Sequence, residues 1–155
     1  MTTNLRSRNA LLQRNRRQSP HQPTAAVPAM TRAVGGFFLA MGGIHVGIVA
    51  ADPETYRHFA DQPLFGFVRS GWADIFMASP AVWGLVLAAA ELLMGALLLR
   101  GGPAARIGWL GVITFHVLLM LFGWGIWAWC VPALYVLVRG ARRDWSRLPG
   151  RVRVA

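Results

Sequence analysis

The stretch AVWGLVLAAAELLMGALLL, residues 81–99, decides the class of fold. It carries no charge except one carboxylic acid, Glu91, at its middle. About 20 consecutive apolar residues form a helix long enough to cross the ~30 Å hydrocarbon core of a bilayer. An ionised acid at the centre of such a helix costs on the order of 2.5–3.5 kcal/mol on insertion scales. Glu91 is therefore expected to be paired, protonated or turned towards a polar cavity. Two histidines in neighbouring apolar runs, His45 and His116, are its candidate partners.

Composition points to the same class. Hydrophobic residues make up 55% of the 155 positions and charged ones only 14%, with seven Trp, whereas a soluble domain carries about 25% charged residues. The formal charge of +10 would suggest nucleic acid if it lay on one folded polar surface. Instead it flanks the apolar runs. Six arginines (Arg6, Arg8, Arg14, Arg16, Arg17 and Arg32) precede the first run, and another six follow the last. The expected partner is thus a lipid bilayer and not nucleic acid. Cys130 is the single cysteine, so one chain can form no disulfide and no CxxC redox pair.

The expected fold is all-α, an integral membrane four-helix bundle with spans at about 33–51, 81–99, 107–122 and 125–138. The last two share one uncharged stretch. As a single helix of 32 residues it would extend about 48 Å at 1.5 Å per residue, too far for the hydrocarbon core. A break is expected at Gly123-Trp124-Gly125, which leaves two short spans. Four spans put fourteen arginines on one side and only Arg57 and Arg69 on the other, so both termini are expected in the cytoplasm.

Residues 1–31 read as a disordered, Arg-rich arm, 32–140 as the membrane domain and 141–155 as a basic tail. Arg16-Arg17 makes a poor twin-arginine signal because no apolar run follows closely. Met30, directly before the first span, is an alternative natural start. Asp52-Pro53-Glu54 has the order of a helix start, and a short helix is expected to run to about Asp61 before Pro63. The aromatic segment beyond it is suited to an element lying in the interface or folded over the mouth of the bundle, as a structural lid or a substrate gate, with Ser79-Pro80 capping the second span. His21 and His58 are expected in solvent.

Small residues form two stripes. Gly36, Ala40, Gly43 and Gly47 share one face of the first span, and Gly84, Ala88, Glu91 and Gly95 share one face of the second. Both are expected to be helix-packing faces. His45 is about half a turn from the first stripe, so the first span is expected to have two protein-facing or cavity-facing sides, through a central position in the bundle or an oligomer contact. Depth along the helices lets Glu91, His45 and His116 meet within the bundle.

Four readings compete for those three residues. They form a structural hydrogen-bonded pair, a proton-handling or quinone-binding site, a bis-histidine haem site on His45 and His116, or a small-molecule path. No other metal site is expected.

Gly42-Gly43-Ile44-His45, then Asp52-Pro53-Glu54-Thr55-Tyr56, and above all AELLMGALLL at 90–99 resemble the DoxX-like membrane proteins, relatives of the small membrane subunit of thiosulfate:quinone oxidoreductase. The similarity covers residues 32–140. It implies a four-helix membrane bundle associated with quinone or sulfur redox chemistry, an accessory subunit more than a free-standing enzyme. His45 and Glu91 are the residues that match its recurring pattern.

Overall fold

The computed structural model describes residues 26–61 and 64–147, and within them it is helical with no strand. The expectations for the arm before residue 26 and for the last residues of the tail lie outside the described part. Helix α1 is Ala29–Ala51, α2 is Gly66–Gly71, α3 is Pro80–Arg100, α4 is Gly102–Leu119 and α5 is Trp124–Arg147. Four segments are long and apolar enough to cross a membrane: Ala29–Ala51, Pro80–Arg100, Gly102–Phe122 and Trp124–Trp145, with mean hydropathies of 1.8, 2.2, 1.8 and 1.2. At most 28% of the most apolar window of each is buried within the chain. The remaining apolar surface faces lipid, and the molecule is a multi-pass membrane bundle.

Each boundary has a local cause. Asp52 is extended ahead of Pro53, which ends α1, and its Oδ1 accepts the backbone N–H of Glu54 at 3.0 Å to start the next turn. Ser79 does not cap α3 through its side chain, contrary to expectation, because its hydroxyl donates to the carbonyl of Ala78 at 2.8 Å. Pro80 alone sets that start. Gly101 and Gly102, with φ of +72° and +55°, make the tight turn from α3 into α4. Gly123, φ +127°, makes the break between the last two spans where it was expected.

The span ends differ from the expectation. α4 begins at Gly102 and takes in Arg106, and α5 runs past Arg139 to Arg147. The last two spans are therefore 21 and 22 residues long and need no thinned bilayer. Two of their arginines have aromatic partners: Arg106 of α4 reaches over the Trp145 ring of α5, and Arg139 donates to the Tyr135 hydroxyl one turn back on its own helix at 2.6 Å. The expected tail from 141 likewise begins as helix.

The helices pack in chain order, α1 on α3, α3 on α4 and α4 on α5. Phe38, Met94, Leu98, Trp109, Val112 and Leu137 form the core. At the end of the bundle that holds Ala29 and Arg147, Asp144 Oδ2 accepts from Thr31 Oγ1 and from Trp109 Nε1, the latter at 2.8 Å. One carboxylate thus ties α1, α4 and α5.

The packing stripe of the first span is not the expected one. A Cβ at Gly36, Gly43 or Gly47 would meet nothing within 4 Å, and Ala40 is exposed. The face turned to α3 is one residue round the helix and carries Gly35, Phe38 and Gly42. There a Cβ on Gly95 would stand 2.7 Å from the carbonyl oxygen of Gly35, and one on Gly35 would stand 3.1 Å from that of Gly95. On α3 itself Gly84, Ala88, Glu91 and Gly95 are all buried.

Between α1 and α3 lies a helical lid. It consists of a nine-residue 3-10 segment, Pro53–Asp61, then α2 and a π turn, Trp72–Phe76. Trp72 stacks on Phe76 at 3.9 Å and meets Phe122 edge-on at 5.1 Å, while the N–H of Leu64 bonds the carbonyl of Leu121 at 3.1 Å. The lid is thereby fixed to the end of the third span.

Candidate functional site

Two spans and the lid converge on one site. α3 supplies Glu91, 2% exposed, on its buried small-residue face. α1 supplies His45, three residues beyond Gly42 and so on the same face, and its Nε2 lies 3.6 Å from Glu91 Oε2. That separation exceeds a hydrogen bond, and Glu91 Oε2 is buried without a hydrogen-bond partner among the described residues.

The third member is Tyr56, from the 3-10 segment of the lid. Its ring is 1% exposed, and its hydroxyl lies 2.7 Å from His45 Nδ1. The Tyr56 and His45 rings are nearly parallel at 5.7 Å, Phe76 meets Tyr56 edge-on at 5.2 Å, and Trp72 Nε1 donates to the Tyr56 carbonyl at 2.9 Å. Gly84 makes room for it: a Cβ there would fall 2.8 Å from the phenol ring.

This geometry sets the direction of the hydrogen bonds. Burial raises the Tyr56 phenol above its ordinary pKa of 10.0, and the charge of Glu91 pushes the same way. The phenol therefore keeps its proton, and with no other acceptor beside its hydroxyl among the described residues it donates a hydrogen bond to His45 Nδ1. A neutral imidazole that accepts at Nδ1 carries its hydrogen on Nε2, the atom facing Glu91. Tyr56, His45 and Glu91 thus form a polar file from the lid to the middle of the bundle.

His116 does not join it. Among the described residues no hydrogen bond or ion pair links it to Glu91 or His45. Its Nδ1 lies 2.9 Å from the carbonyl of Val112 on its own helix, and its ring packs on Phe38 and Phe115. His45 and His116, the pair named for a bis-histidine haem, each have a near neighbour at a ring nitrogen. Tyr56 and Glu91 face the two nitrogens of His45, and His116 Nδ1 faces the carbonyl of Val112.

Sequence reasoning paired His45 with Glu91 and missed Tyr56 as a site residue. The available signal was its place in Asp52-Pro53-Glu54-Thr55-Tyr56, one short turn past the end of α1. The chain matches no family model, no curated protein and no solved structure.

Proposed function

We propose that the chain is an accessory membrane subunit of a quinone-linked redox system and that Tyr56, His45 and Glu91 handle protons within it. The observation that supports this reading is the buried file of phenol, imidazole and carboxyl ending on an oxygen without a partner. An imidazole can take a proton at one nitrogen and release one from the other, which is what transfer between a lid and a buried acid requires. An acid retained inside a membrane helix is itself a functional signal. The resemblance to DoxX-like proteins over residues 32–140 supports the redox association. Protein purified from native membranes is expected to be colourless and to yield lipid-extractable quinone. A Soret band, or no quinone above that of bulk lipid, would count against the reading.

In this reading the membrane is a bacterial-type inner membrane, both termini are cytoplasmic, and the lid lies on the outer face. The arginine distribution is the support. With Cys130 replaced by alanine, single cysteines at Ser7 and Gly71 are expected to react with an impermeant thiol reagent from opposite faces. Labelling of both from one face would overturn the orientation.

A further inference from the structure

The bundle has an open seam between its first and last spans. α1 and α5 are held at one end by Thr31 on Asp144 and by Met30 against Gly140. Farther along they part, leaving a cleft of about 450 Å³, within the range of small-molecule sites. Phe37 and Phe38 of α1 and Trp129, Pro132 and Val136 of α5 form its walls, and His116 of α4 lies between them. Phe37, Trp129 and Val136 are 47%, 60% and 51% exposed in a membrane span, so the cleft is accessible from lipid.

His116 makes this cleft chemically specific. A backbone carbonyl can only accept, so the 2.9 Å contact with Val112 puts the ring hydrogen on Nδ1. In the tautomer with its hydrogen on Nδ1 the ring carries a lone pair at Nε2, which has no hydrogen-bond partner among the described residues although the residue is 4% exposed. The aromatic walls favour a flat body. A lone-pair acceptor in a dry site rewards a ligand that brings an acidic hydrogen, and a phenol donates better than an aliphatic alcohol.

We propose that the seam between α1 and α5 binds a lipid-soluble phenol, with its ring against Phe37, Phe38 and Trp129 and its hydroxyl donating to His116 Nε2. This site stands apart from the Tyr56–His45–Glu91 file and does not depend on the proton-handling reading.

The test is calorimetric titration of the full chain in detergent micelles with 2,6-diisopropylphenol and with its O-methyl ether, which keeps the ring and both isopropyl groups and has no hydrogen to donate. The expected result is saturable one-site binding of the phenol, with the ether at least ten-fold weaker. His116→Phe is expected to erase the difference between the two. Val136→Trp fills the cleft from an exposed lining position and leaves the His116–Val112 contact alone, so it is expected to block both ligands without loss of folding. In protein labelled with ¹⁵N at histidine, the phenol and not the ether is expected to move the His116 Nε2 resonance. Equal affinity for phenol and ether, heat no greater than micelle partition, or unchanged binding in Val136→Trp would each overturn the proposal.

Discussion

Gly95→Leu is expected to abolish the folded, detergent-solubilised protein, whereas Gly43→Leu is expected to match wild type in yield and melting temperature. The contrast rests on which glycine meets backbone. A Cβ at Gly95 would stand 2.7 Å from the carbonyl oxygen of Gly35, and a peptide group cannot swing aside as the end of a side chain can. Overpacking a well-filled core costs about 1–3 kcal/mol when side chains can adjust, and here α1 and α3 would have to separate. That separation would also pull His45 from Glu91, since both sit on the same contact. A Cβ at Gly43 would meet nothing within 4 Å, so a leucine there only adds apolar surface towards lipid. Equal melting of the two variants would remove the inference, and damage confined to Gly43→Leu would mean that the exposed stripe is buried by another copy or subunit.

The same pair of positions shows why the bundle was legible in the sequence and its inner face was not. Uncharged runs, flanking arginines and the Gly123 break all follow from one-dimensional rules about length and burial. The stripe on α1 does not, because its glycines come as doublets. Gly35-Gly36 and Gly42-Gly43 allow two faces about 100° apart, and the one with four small residues looks the better packing face. The chain uses the other because that face also brings Phe38 to the core and His45 to Glu91. Large residues between close backbone contacts hide such a stripe from a count of small ones. The lid is opaque for a related reason. Tyr56 belongs to a 3-10 segment without a sustained period, and only the folding of that segment over α1 and α3 turns an interfacial tyrosine into a buried donor. For His116, depth along the helix admitted a meeting with Glu91, but the rotation of α4 turns the ring towards the seam, and rotation is set by packing.

Tyr56→Phe is expected to weaken folding by about 1–3 kcal/mol, the range for a buried polar group that loses its partner, while leaving the ring packing intact. The loss falls on His45 Nδ1, since phenylalanine fills the same place beside Gly84 and Phe76. Wild type is also expected to show a pH dependence that the variant lacks. The folded phenol holds its proton more tightly than the unfolded one, so its contribution to stability is fully present below pH 10.0 and is lost as the pH rises past that value. Chemical denaturation in detergent from neutral to alkaline pH would show a falling slope in wild type and a flatter one in Tyr56→Phe. Glu91→Gln separates a structural file from a proton-handling one. The amide oxygen of glutamine can still face the Nε2 hydrogen of His45, so folding and the Tyr56 contact are expected to persist, but the side chain can no longer take or release a proton. Infrared difference spectra across pH are expected to show a carboxyl band in wild type that is absent in Glu91→Gln and altered in Tyr56→Phe. Under the proposed proton-handling role, proton-coupled turnover of the redox complex is expected to fail in Glu91→Gln despite intact folding. A Glu91→Leu variant that folds and supports turnover like wild type would make the file a structural pin that holds the lid on α1.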